Sequence, residues 1–211
     1  MTEEERRRRQ ERIVLCAAEL FLERGAENVK MTDIAEEAGI GVASLYRYFG
    51  TKSAIMLESG TLLWKDVATL FDTNFHSERY RTASGMEQMK ILLTGHLQLF
   101  TDHKPFLRFL NALDAVILAE RPDPETLKPY RESILNFYQL FRAAHSRGTA
   151  DGSIRSGMDT EFLYRTITDF LNGAAQKFIR GEVLPEDDYS QGAAEMELFV
   201  EMTLGYLSGR K

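Results

Sequence analysis

Residues 39–52 read GIGVASLYRYFGTK: two glycines flank one isoleucine, a run of two tyrosines, an arginine and a phenylalanine follows, and a lysine lies three residues on. The preceding stretch, TDIAEEA (32–38), predicts a short helix capped by Thr32, with Asp33 and Glu36 at its positive end and a stop at Gly39. A second short helix is predicted over Val42 to Phe49. Joined by so brief a turn, the two must cross steeply, which is the helix-turn-helix form. Ala35, Ile40, Leu45 and Phe49 then close a small apolar pin. On the second helix Leu45, Phe49 and partly Val42 share one face, Ala43, Ser44 and Arg47 point the other way, and Tyr46 and Tyr48 flank the buried stripe. Small residues at the start of such a helix approach base edges, while hydroxyls and cations farther along hold phosphates. A plug for a miniature core explains Phe49 but not the Tyr46-Arg47-Tyr48 run.

Apolar spacing outward from this segment is helical almost everywhere. A first helix is expected from Glu3 to Arg24, with Ile13, Ala17, Leu20 and Phe21 on one face and Gly25 as its stop. A fourth starts near Thr51 and runs through IMLESGTLLWKDVATLF. Ser84 to Glu87 has capping-box form and opens the next. Pro105 begins an apolar helix ended by Arg121-Pro122, and Asp123-Pro124 or Pro129 starts one that stops at Gly148. The loop GTADGSIRSGM leads to a helix capped by Asp159 and ended by Gly181, and a last helix spans about Tyr189 to Leu207. These are about nine helices with no strand ladder. The expected fold is all-α, with a three-helix helix-turn-helix domain over 1–70 (the motif at about 32–50) and a helical domain over 71–211.

The 211 residues are 44% hydrophobic and 27% charged, an ordinary globular balance. The net charge of -6 is spread evenly: residues 1–69 hold ten basic against twelve acidic groups, and the remainder sixteen against twenty. A nucleic-acid surface must therefore come from the placement of a few cations, chiefly Arg6 to Arg9, Arg47 and Lys52. The arginine run itself admits two readings. Glu3-Arg7, Glu4-Arg8 and Glu5-Arg9 suit a salt-bridged helix extension, and an arm entering a minor groove is the alternative. One cysteine, Cys16, excludes an internal disulfide framework and supplies no metal cluster. No apolar run nears the roughly 20 residues of a membrane span, and TEEERRRRQER lacks a signal-peptide core; a cytoplasmic location and no membrane partner are expected. No nucleophile elbow, phosphate loop or metal spacing points to an enzyme or a cofactor.

From Arg9 to Val67 the chain resembles the N-terminal domain of the tetracycline-repressor (TetR) family. The resemblance rests on Ile13, Ala17, Leu20, Phe21 and Gly25, then Thr32-Asp33-Ile34-Ala35, Ala38-Gly39-Ile40, and Leu45-Tyr46-Arg47-Tyr48-Phe49 with Lys52. It implies a dimeric transcription regulator, usually a repressor, that binds double-stranded operator DNA and leaves it when a small molecule enters the C-terminal domain. It places base-facing positions at Val42, Ala43, Ser44 and Tyr46, backbone-contacting positions at Tyr48 and Lys52, and a phosphate contact at Thr32; Arg47 joins these DNA-binding residues by its charge and not by the resemblance. Gly41 stands where a capping serine is frequent, and Val42 where a polar base reader is frequent. Replacing Lys52 by Ala is expected to weaken binding to all sequences alike, whereas altering Ser44 changes sequence preference.

In the second half, Asn111 and Asp114 lie among the apolar residues of PFLRFLNALDAVILAE, and Asp114 is either surface-facing or a polar anchor in an apolar pocket. His96 has the same ambiguity. An effector pocket lined by Trp64, His96, Phe100, Phe106, Leu110, Asn111, Asp114, Tyr138 and Phe141 suits a medium-sized, mainly hydrophobic ligand. Two stripes, Leu163, Ile167, Phe170, Leu171, Ala174 and Phe178, and Leu198, Phe199, Met202 and Tyr206, are expected to pair two copies as a four-helix bundle. Two reading helices about 34 to 36 Å apart would then meet a palindromic site.

Overall fold

The computed structural model describes residues 2–75, 77–134, 137–181 and 184–209; the side chains of 70 and 72–74 are not described. The described residues form eleven α-helices and no strand: α1 (Glu3–Arg24), α2 (Met31–Glu37), α3 (Val42–Phe49), α4 (Lys52–Phe75), α5 (Glu78–Thr82), α6 (Gly85–Asp102), α7 (Lys104–Glu120), α8 (Pro124–Ser133), α9 (Phe137–Asp151), α10 (Thr160–Arg180) and α11 (Gly192–Ser208). Two helices exceed the expected nine. Ser77 caps the five-residue α5, accepting the Tyr80 N–H, and the helix expected from Asp123 or Pro129 to Gly148 is two, α8 and α9.

Packing divides the chain into two compact units, 1–68 with 105–135, and 69–104 with 136–211. In the first, α2 packs on α1 and α3, and Ile13, Ala17, Phe21, Ile34, Leu45 and Ile55 are among its most buried side chains. α1 starts at a reciprocal cap: the Thr2 hydroxyl accepts the Glu5 N–H and the Glu5 carboxylate accepts the Thr2 N–H. α8 begins with Asp123 as cap and Pro124 in its first turn. At Gly60, in α4, a Cβ would come 2.8 Å from Leu113 Cδ2 and 2.9 Å from Tyr130 Cε2, so only glycine lets α4, α7 and α8 close on one another.

In the second unit α6 packs against α9 and α11, and α10 against the same two helices. Ser84 caps α6 and Asp159 caps α10, as expected. Gly148 is not a stop. It lies inside α9, where a Cβ would be 2.5 Å from Ile154 and where Gly85 approaches the Gly148 backbone. Close approach of chain segments, and not turn chemistry, explains this glycine.

Candidate nucleic-acid interface

The turn between α2 and α3 is built from backbone hydrogen bonds. The Ile40 N–H reaches the Ala35 carbonyl at 2.9 Å and the Gly39 N–H reaches that of Glu36 at 3.0 Å, a Schellman closure in which Gly39 takes φ +64°. Gly41 then caps α3 through its carbonyl, which accepts the Ser44 and Leu45 N–H groups. Leu45 and Phe49 are buried, whereas Val42, Ala43, Tyr46 and Arg47 are exposed and Ser44 and Tyr48 half-buried. The contrast is steep. Leu45 has no exposed surface, and its neighbour Tyr46 is 50% exposed.

One expectation changes, and one residue gains a contact. Thr32 does not cap α2: the cap position is Lys30, two residues earlier, and the helix starts at Met31, because the Asp33 carboxylate accepts the Lys30 N–H at 2.7 Å and Met31 is drawn into the core. Thr32 is exposed in the first turn. Lys52 is not a simple surface cation, since its ammonium donates to the Ala26 carbonyl. Burial lowers its pKa, with Glu27 and Asp33 opposing. It ties the start of α4 to the loop after α1.

The arginine run forms the salt-bridged extension of α1. Arg7 pairs with Glu4 at 2.9 Å and Glu11 at 2.8 Å, and Arg8 with Glu4 at 2.8 Å. Of the three expected pairs Glu4-Arg8 is present, and Glu5 is taken up by the cap. Two links across the motif had no signal in the spacing. Arg12 donates to the Ala38 carbonyl at 3.2 Å, and the Arg6 guanidinium lies 6.0 Å from the Tyr48 ring centre.

The expected effector residues fall in both units. In the first, Trp64 meets Phe106 edge-on at 5.1 Å, Leu110 is half-buried, and Asn111 and Asp114 are exposed. Partial loss of water to its surroundings raises the Asp114 carboxyl from its ordinary value, although the side chain is exposed. Tyr130, which the sequence reading passed over, completes this group: the Trp64 indole donates to its hydroxyl at 3.5 Å, and burial, then the Asp114 charge, raise its pKa against the lowering effect of Trp64. A lone aromatic in the polar stretch PETLKPYRES was the available signal. In the second unit His96 Nε2 lies 3.0 Å from Asn172 Oδ1 and its ring 5.7 Å from Phe137. Phe100 packs on Phe178 at 5.8 Å. Tyr138 and Phe141 both meet Tyr164, at 5.1 and 5.4 Å.

The stripe expected on α10 splits between two directions. Ile167 and Leu171 belong to the chain's own core, and Phe178 packs on Phe100 and against Gly192. Leu163 and Ala174 are half-buried. Phe170 is 64% exposed and stacks on the half-buried Phe199 at 5.6 Å, alongside exposed Leu198 and Met202. Exposed Phe162 also lies on α10. Tyr206 is exposed on α11 with the Arg155 guanidinium 3.7 Å from its ring centre.

Comparison with known proteins agrees with this geometry. Residues 13–58 match the family model described as bacterial regulatory proteins, tetR family. The HTH-type transcriptional regulator SAR2658 of Staphylococcus aureus (strain MRSA252) is 34% identical over 158 residues, which cover 75% of this chain and 77% of the relative. Among solved structures, a transcriptional regulator from Saccharomonospora viridis in complex with choline has TM-score 0.65 at 24% identity, covering 95% of this chain and 97% of the other. The regulator FadR from Bacillus subtilis in complex with stearoyl-CoA has TM-score 0.61 at 16% identity, covering 93% and 98%. These last two share the fold. With the matched helix-turn-helix and a relative aligned over most of both chains, the protein belongs to the tetR family of bacterial regulatory proteins, which are DNA-binding transcription regulators and not enzymes.

Proposed function

We propose that this regulator is a cytoplasmic homodimeric repressor that binds a palindromic operator through α3 and is released by a small, mainly hydrophobic effector. The observation that carries the DNA reading is the division of α3: Leu45 and Phe49 hold it to the core while Val42, Ala43, Tyr46 and Arg47 remain uncovered. Ser44 and Tyr46 supply hydrogen bonds to bases, the methyl groups of Val42 and Ala43 suit thymine methyls, and Thr32, Arg47, Tyr48 and Lys52 meet phosphates. On this reading residues 1–70 form the reading head, and 71–211 bind effector and partner. The exposed apolar group Phe170, Leu198, Met202 and Tyr206 supports pairing of two chains through α10 and α11.

An effector that binds better to the conformation unable to grip DNA must weaken operator binding by the same factor. α4 begins at Lys52, beside the motif, and carries Trp64 three turns on, which makes it the lever of the proposal. Choline and stearoyl-CoA, bound by the two neighbours, differ in size and charge, so the fold leaves the effector class open.

The test is a gel shift of DNA from upstream of the protein's own coding region, repeated at several salt concentrations. Saturable binding by two chains, weakening steeply with salt, is expected. Failure to select any fragment over random duplex at low salt would sink the DNA reading. Labels on the two reading heads then test the lever. If an effector releases the operator while their separation stays unchanged, the coupling runs by another route.

A further inference from the structure

We propose that Arg6 and Arg9 of α1 hold the DNA phosphates bordering the groove entered by α3, as a second contact element of each reading head. The proposal rests on the DNA reading above and extends it to residues outside the helix-turn-helix. All of its parts lie in the unit formed by 1–68 and 105–135.

In a protein of net charge -6, local positive potential has to come from cations that are not already neutralised within the chain. The arginine run divides on this point. Arg7 holds Glu4 and Glu11, and Arg8 holds Glu4, so these side chains cancel one another along one flank of the helix. Glu5, spaced to meet Arg9, is instead turned back to the Thr2 N–H by the cap. Arg9 is exposed, and its side chain has no ion pair or hydrogen bond among the described residues. Arg6 is exposed with no paired acid among the described residues, and its guanidinium lies over the Tyr48 ring, 6.0 Å from the centre.

Helix phase aims this pair. Arg6, Arg9, Ile13 and Ala17 recur at steps of three and four and share a face of α1. Ile13 and Ala17 are fully buried where α1 packs on α2. α1 continues two turns beyond Ile13, about 10 Å at the helical rise, so the face that backs the motif runs on past it as two bare guanidinium groups. Two contacts fix this overhang to the motif: Arg12 donates to the Ala38 carbonyl at the end of α2, and Arg6 meets Tyr48 in the last turn of α3. A guanidinium over a ring keeps its N–H donors at its edge, the geometry that takes a phosphate.

Helical structure also decides what these arginines meet. A helix with its side chains is roughly 10–12 Å across, against roughly 6 Å for a minor groove. Residues 3–12, being helical, do not enter that groove as an extended arm would, and their arginines reach its sugar-phosphate rim. Such contacts add affinity and register without reading sequence.

The test titrates the full-length protein and four single variants, Arg6→Ala, Arg9→Ala, Arg7→Ala and Arg8→Ala, with DNA from upstream of the protein's own coding region and with random duplex of equal length. Each variant removes one positive charge from the same turn of α1. A general attraction would move all four together, whereas contacts separate them. Arg6→Ala and Arg9→Ala should each weaken both duplexes about five- to tenfold near 0.1 M salt and flatten the salt slope by about one, with Arg7→Ala and Arg8→Ala within about twofold of wild type. Arg9→Lys, which keeps the charge, should restore the slope, and helical circular dichroism should be the same throughout.

An Arg6→Ala or Arg9→Ala protein that binds as wild type overturns the proposal, as do four equal losses. A loss confined to the upstream fragment, with random duplex unaffected, shows base reading in place of phosphate contact and overturns it too. These results leave a salt-dependent wild type and the DNA reading intact. A wild-type protein that binds neither duplex sinks that reading and the arginine contacts with it.

Discussion

Phe21 of α1 and Phe109 of α7 stack with ring centres 5.6 Å apart and planes inclined by 20°, and both rings are almost fully buried. Through this pair the helix that backs the reading motif shares a core with a helix that carries Phe106 and Asp114. Truncating either ring to alanine is expected to cost about 3–5 kcal/mol in urea unfolding. The sharper measurement is a double-mutant cycle with leucine at each position, which keeps most of the volume. A coupling of about 0.5–1.5 kcal/mol is expected; strict additivity would show two neighbours that do not depend on each other.

Arg47 and Lys52 are both basic and both near the motif, yet they differ physically. Arg47 is exposed, whereas Lys52 donates to the Ala26 carbonyl. Arg47→Ala should weaken operator and random DNA alike and reduce the salt slope by about one, at unchanged melting temperature. Lys52→Ala should do the same to DNA and also destabilise the fold by about 1.5–3 kcal/mol, because it removes a charged donor from a backbone acceptor. Thermal melts beside binding isotherms at three salt concentrations check the pair. A Lys52→Ala protein as stable as wild type contradicts the stapling role.

How much of this was legible in the sequence follows from the range of the forces involved. Gly25, Gly39, Ser84 and Asp159 end or begin helices through bonds to residues at most five positions away, so local spacing sufficed. Gly148 was misread because its requirement comes from Ile154 and Gly85, brought near only by folding. Thr32 was misread because a carboxylate three residues inside the helix competes with a hydroxyl at its edge, and burial of Met31 decides between them. On α10, residues 163 to 178 read as one stripe, yet Phe170 and Leu171, adjacent in sequence, face opposite environments. Periodicity finds apolar faces without saying which is covered by the chain itself. Tyr130 escaped because its partners, Trp64 and Gly60, are remote in sequence.

Two histidines make stability depend on acid in a defined direction. His145 is buried, with Nδ1 2.9 Å from the Thr160 hydroxyl and Nε2 without a hydrogen-bond partner among the described residues. His96 lies against Phe137. Burial lowers both imidazoles below the ordinary histidine value, an effect that Asn172 partly opposes at His96. A histidine depressed in the folded state takes up its proton more readily when unfolded. Stability is therefore full above the unfolded pKa of about 6.5 and falls as pH drops below it. Urea midpoints between pH 8 and 5 should decline, and His145→Gln should flatten part of that decline. A midpoint rising toward pH 5 would reverse the assigned sign.

The exposed apolar face of α10 and α11 and the core beneath it are separated by a single residue step, which gives the dimer proposal a discriminating test. Phe170 is 64% exposed and Met202 65%, whereas Leu171 is 1% exposed. If two chains pair through this face, Phe170→Glu with Met202→Glu places charges where a partner's apolar surface must sit, and costs the isolated fold little more than the Phe170–Phe199 stack. The variant should keep its helical circular dichroism and sediment at half the wild-type mass. Its operator affinity should also fall, since a single head meets one half-site. Leu171→Ala should behave in the opposite way, losing about 2–5 kcal/mol of stability from a buried cavity while remaining paired at low temperature. A double-glutamate protein that sediments like wild type moves the interface elsewhere, and one that unfolds shows these side chains to be held within the chain.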